Sequence, residues 1–122
     1  MRPLRYFQPH EFECKKHCGK CLGLMDETLL VMLDELRHRV KRPLGVNSGY
    51  RCEAKNASTP GAVKGSSHMK GLAVDLACTD SELRCSIVKE AFGLGFRRIG
   101  VAETFVHLDI DPDKPQDILF LY

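Results

Sequence analysis

The feature that most limits what this chain can become is a single carboxylate inside an apolar run. The stretch Leu72-Ala-Val-Asp-Leu-Ala-Cys78 reads as a buried strand in which only Asp75 is polar. A carboxylate in such a place is costly unless a proton, a partner or a cation neutralises it. Whatever folds around this strand must therefore bring counter-charge to Asp75.

Two other segments offer it. Over 105–110 strict alternation places Val106, Leu108 and Ile110 on one face of a strand and His107 and Asp109 on the other. The polar segment Gly65-Ser66-Ser67-His68 precedes the Asp75 strand, separated from it by a tight turn at Gly71. Two imidazoles and one carboxylate with an open fourth position are the donor set of a catalytic zinc, whereas a structural zinc is closed by four protein ligands. Taken singly, each residue also suits a plain role: His68 as a loop histidine, His107 as a satisfied strand histidine, Asp75 as half of an ion pair.

The rest of the chain reads as one α+β domain spanning 1–122, a small mainly antiparallel sheet with helices packed on one face. Residues 1–25 look like an irregular, cysteine-bearing N-terminal arm. A helix follows from Asp26, which can cap it, with Leu29, Leu33, Leu36 and Val40 at helical spacing and Pro43 barring continuation. Short strands are expected near 44–48, 98–102 and 105–110, with an edge strand at 118–122. Thr79 and Glu82 read as a capping box for a second helix to about Phe92, with Leu83, Ile87, Val88 and Ala91 inward and Gly93 and Gly95 ending it. The stretch 51–70, rich in Gly, Ser, Asn and Pro, is long for an irregular connection in a small domain, and such loops are usually functional.

Charge excludes one class of function. With 18 basic and 16 acidic residues the net charge is +2, and no basic stripe suggests nucleic acid. No apolar stretch approaches the ~20 residues of a membrane span, and the N-terminus has no signal-peptide core. The chain is expected to be soluble and monomeric.

The motifs Ser48-Gly49-Tyr50-Arg51, Asn56, Ser66-x-His68-x-x-Gly71-x-Ala73-x-Asp75 and Phe105-Val106-His107-Leu108-Asp109 together resemble the zinc D-Ala-D-Ala carboxypeptidase and L-alanyl-D-glutamate endopeptidase family. Hedgehog signalling domains are similar to that family in fold. The resemblance covers most of 26–122 and implies that His68, Asp75 and His107 bind zinc. It also implies that Arg51 engages the substrate peptide or its carboxylate, with Ser48, Tyr50, Asn56 and Ser66 orienting the loop around it. The implied reaction is hydrolysis of peptide bonds in peptidoglycan stem peptides. The implied place of action is the cell wall, reached by phage or prophage delivery in the absence of a signal peptide. A non-catalytic zinc domain that binds wall peptide or a protein partner is the alternative, and a structural piece of a phage particle or secretion machine is a further one.

The chain departs from the family pattern at the general base. Three residues before His107, where relatives carry an acidic residue or a histidine, stands Thr104. Glu103 and Asp109 are the nearest carboxylates that can take the proton. Six cysteines are many for a reducing cytosol. Cys14, Cys18 and Cys21, with His17 between them, suit either a disulfide set or a small structural zinc site. Cys52 is placed to tie the Arg51 loop to the arm or to Cys78, and Cys85 is expected to be buried beside Val88 and Phe92.

Overall fold

The structure is a computed structural model that describes residues 3–14, 25–59 and 65–122. His17, Cys18 and Cys21 fall outside the described residues. Among the described residues five strands form one sheet in the order β1 (Val46–Ser48), β2 (Ala73–Ala77), β4 (Phe105–Asp109), β3 (Arg98–Val101), β5 (Ile118–Leu121). All neighbours are antiparallel except β3 and β5, which run parallel.

Register turns the alternation of each strand into two unlike faces. Asp75 lies opposite His107, and His107 lies opposite Gly100, so these three share a face. Val74 pairs with Leu108 and Leu76 with Val106 on the other face, and all four are buried. That apolar face packs against α1 (Glu27–Val40) and α3 (Ser81–Leu94), whose Leu29, Leu33, Leu36, Ile87 and Ala91 complete the core. The sheet is thus a wall, oily behind and polar in front.

Local chemistry explains the helix ends. Asp26 caps α1 by accepting from the Leu29 amide at 3.1 Å, and Lys41 closes it in the left-handed conformation two residues before Pro43. The second cap differs from expectation. Asp80, not Thr79, caps α3: its carboxylate accepts from the Glu82 amide while Arg42 holds it from the other side. Only Gly95, at φ 98°, ends this helix, and Gly93 lies within it. Cys85 is exposed rather than buried. The buried stripe is Leu83, Ile87, Ala91, and at 100° per residue Cys85 sits about 200° round from Leu83.

The described part of the N-terminal arm lies on the domain. Phe7 and Phe12 enter the core, Asp34 of α1 accepts from the backbone and side chain of Arg5, and the Phe12 carbonyl accepts from the Tyr50 amide at 2.9 Å. Cys14 Sγ lies 3.5 Å from Cys52 Sγ, a contact and not a bond. Within 51–70 the chain forms a short helix, α2 (Glu53–Ser58), and a 3-10 turn, Ser67–Lys70. Among the described residues no helix is long and apolar enough to cross a membrane.

Candidate metal centre

Three elements deliver the three expected ligands. Asp75 comes from the middle of β2 and His107 from the middle of β4, directly across. His68 comes from the 3-10 turn, capped by the Ser66 hydroxyl, which accepts from the His68 amide at 3.2 Å. Gly71 closes the turn at φ 71°, a conformation other residues adopt only at a cost. One donor atom from each of the three residues lies within 4.8 Å of the other two, and all three residues are buried. Asp75 Oδ1 is 2.9 Å from His107 Nδ1 and 3.3 Å from His68 Nε2.

The outer ring nitrogens determine what the inner ones can do. His68 Nδ1 is 2.8 Å from the Gly49 carbonyl, and His107 Nε2 is 2.6 Å from Asp109 Oδ2. Both partners only accept, so both outer nitrogens donate, and in the neutral rings the inner nitrogens carry lone pairs. Two lone pairs and a carboxylate oxygen then face one another, an arrangement that calls for a proton or a cation. A metal ion fits this donor set, with outer-shell acceptors of the kind that orient metal-bound imidazoles.

The electrostatics agree. Burial alone would pull the His107 pKa down, but hydrogen bonds to Asp109 and Asp75 outweigh it and raise it. Burial likewise pushes Asp75 up, and its bonds to His107 and His68 reverse that and hold it well below the usual carboxylate range. Asp75 Oδ2 also accepts from Arg51 at 3.1 Å, and Arg51 Nε donates to Ser48 Oγ at 3.0 Å. Arg51 is buried, with part of its fork committed to orienting the Asp75 carboxylate.

The cradle forms the floor of a cleft of about 570 Å³. Ser48, Arg51, Ser66 and Asp109 also line it, whereas Tyr50 and Asn56 do not. Tyr50 instead ties the loop to the arm through its amide, and Asn56 is buried in α2. Glu103 is exposed at the tip of the β3–β4 hairpin, outside the cleft lining, because the Ala102 amide bonds the Phe105 carbonyl and turns the chain there. Its straight-strand parity with His107 is lost in that turn.

Several cleft residues were not foreseen. Arg98 donates to Asp109 Oδ1 at 2.7 Å and to the Pro115 carbonyl at 2.6 Å. Phe120 and Tyr122 form an aromatic wall beside His107, and they have room because residue 100 is glycine: a Cβ there would run into both rings. Burial, with the nearby Asp75 charge, pushes the Tyr122 hydroxyl up to about 12. Lys55 and Lys114 complete the positive lining. The signal for Arg98 lay in hairpin register, since it sits opposite Asp109.

An α+β domain that gathers two imidazole nitrogens and a carboxylate on the floor of an open cleft has the makings of a metal-dependent hydrolase. Residues 5–109 match the family model described as Peptidase M15, and the chain belongs to that family of zinc metallopeptidases resembling D-Ala-D-Ala carboxypeptidases. None of the curated proteins compared with the chain matches it.

Proposed function

We propose that the protein hydrolyses peptide bonds in peptidoglycan stem peptides, with zinc held by His68, Asp75 and His107. The observation that carries this reading is the convergence of His68 Nε2, His107 Nδ1 and Asp75 Oδ1 in a cleft lined by Arg51, Lys55, Arg98 and Lys114. Four cations against Asp75 and Asp109 favour an acidic substrate, and stem peptides carry free carboxylates. When bound, zinc supplies a Lewis acid that polarises the scissile carbonyl and acidifies the attacking water.

The chain's own groups do the rest. Asp109 fixes the His107 ring, and Arg98 fixes Asp109. Arg51 holds Asp75 and offers its remaining N–H groups to the substrate. The aromatic wall of Phe120 and Tyr122 shields one side of the cleft from water. Asp109 is a poor proton acceptor, because both its oxygens already receive hydrogen bonds. Glu103 has no side-chain partner among the described residues and is the carboxylate we propose for that step; it stands outside the cleft lining, so the role requires the β3–β4 hairpin tip to swing toward the cleft when substrate binds.

Digestion of purified sacculi followed by mass spectrometry of the released muropeptides tests the reading, and distinguishes loss of a terminal residue from internal cleavage. New amino and carboxyl termini that disappear on chelation and return with zinc are expected. The position of Glu103 outside the cleft favours one alternative, a zinc domain that binds wall peptide without cutting it. Sacculus binding with no new termini would select it. Action at the wall, through phage or prophage delivery, is part of the same proposal.

A further inference from the structure

Asp111 is fully buried, yet nothing described so far uses it. Its Oδ2 accepts from Ser67 Oγ at 2.7 Å and from Lys70 Nζ at 3.0 Å, and its Oδ1 accepts from the Asp113 amide at 3.1 Å. Ser67 and Lys70 are the first and last residues of the 3-10 turn that carries His68. The Asp111 amide donates to Asp109 Oδ1 at 3.1 Å, and Asp109 is the carboxylate that holds His107. One residue thus touches the supports of both histidines.

A four-residue 3-10 turn has poor hydrogen-bond geometry of its own and cannot by itself hold an imidazole to the ~0.5 Å that a metal site demands. The His68 turn needs cross-links to the sheet. The alternating Asp109, Asp111 and Asp113 do not form a separate cation site, because the Lys70 ammonium lies 3.0 Å from Asp111 and 3.4 Å from Asp113 and fills that place. Asp111 also lies just past residue 109, where the family match ends.

We propose that Asp111 is a positioning residue of the metal centre, clamping the turn that carries His68 and the carboxylate that orients His107. This rests on reading His68, Asp75 and His107 as a zinc site. The test is the zinc affinity of the purified protein, measured by competition with a chromophoric chelator, together with the visible spectrum of the cobalt-substituted form. Asp111→Asn should weaken zinc binding by ~10-fold or more, as loss of an outer-shell partner does, and should alter the cobalt spectrum. Ser67→Ala deletes a single bond, so it should shift affinity in the same direction by less, and it decides the matter if Asp111→Asn does not fold. Asp34→Asn weakens the bond between the buried Asp34 carboxylate of α1 and the half-exposed Arg5, away from the metal centre, and should lower thermal stability while leaving zinc affinity unchanged. Wild-type affinity in folded Asp111→Asn, or in Ser67→Ala where the first variant fails to fold, would overturn the proposal. So would an equal loss in Asp34→Asn. A wild type that binds no zinc would instead bring down the reading of the site itself.

Discussion

Asp109→Asn should damage metal binding more than Asp109→Ala, although it is the milder change in shape. Three donors meet the Asp109 carboxylate: Arg98 Nε and the Asp111 amide at Oδ1, and His107 Nε2 at Oδ2. Asparagine has one acceptor oxygen, and two of the three donors share a side. Its carbonyl therefore turns to Arg98 and Asp111, and its NH2 faces His107 Nε2. That nitrogen must then accept, which moves the ring proton to Nδ1, the atom that faces Asp75 and the metal. A hydrogen bond to a charged group is worth about 1.5–3 kcal/mol, which is about 10- to 100-fold in affinity at 1.4 kcal/mol per factor of ten. Both variants leave Arg98 without its counter-charge, a loss of about 3–5 kcal/mol of folding stability where a buried pair is broken. Zinc affinity should therefore be measured by chelator competition at low temperature, on protein shown to be folded by circular dichroism. Alanine lets water serve His107 Nε2 and keeps the useful tautomer. Equal losses in the two variants, or a greater loss with alanine, would refute the tautomer argument.

The metal-free protein should lose thermal stability as pH rises above ~6.5, because the raised His107 pKa contributes stability that is complete below its unfolded value and is lost as pH climbs through the folded one. At the acid end the depressed pKa values of Asp75 and Asp109 contribute above ~3.9 and are lost as pH falls through their folded values. Melting curves of chelated protein across pH check both arms, and a flat alkaline arm would contradict the first. Glu103→Gln should retain zinc and fold while lowering kcat by ~10²-fold, the scale of a lost general base, and unchanged turnover would leave proton transfer to solvent. Gly100→Ala should push Phe120 and Tyr122 off the cleft, raising KM for a stem peptide more than it changes zinc affinity, and an unaltered KM would show that the wall takes no part in binding.

The cradle was legible because it is written in short-range pattern. Alternation alone put His107 and Asp109 on one face, and an apolar run with one carboxylate marked Asp75 as needing company. His68 could be placed only near the end of the Asp75 strand, since its exact position depends on a turn held by Ser66 and Asp111. The reading that failed extended a pattern past its element: Cys85 shares a helix face with Val88 and Phe92, but that face is not the buried one. The parity of Glu103 with His107 holds only on a strand that does not turn, and the chain turns at Ala102–Phe105. Arg98 and Phe120 were missed for a different reason: their roles come from pairings between strands, legible only once the register of β3 with β4 and β5 is known. Asp111 lies past β4, and its role comes from bonds to the distant 3-10 turn that no local spacing announces.

The parallel pairing of β3 with β5 has a consequence for how this enzyme can vary. A hairpin joins β3 to β4, but β5 must lie on the far side of β3, so the chain crosses the end of the sheet within residues 110–117. That crossing is tethered by Arg98 to the Pro115 carbonyl, by Arg97 to Asp117, and by Gln116 to the Asp111 carbonyl. The same short strap carries Asp111 at one end and delivers the aromatic wall at the other. The support of the His68 turn and the wall beside His107 are therefore inherited together. An insertion in the strap would disturb both, whereas changes at Phe120 and Tyr122, beyond its tethers, leave the cradle free to keep its metal while the wall is refitted to a different peptide.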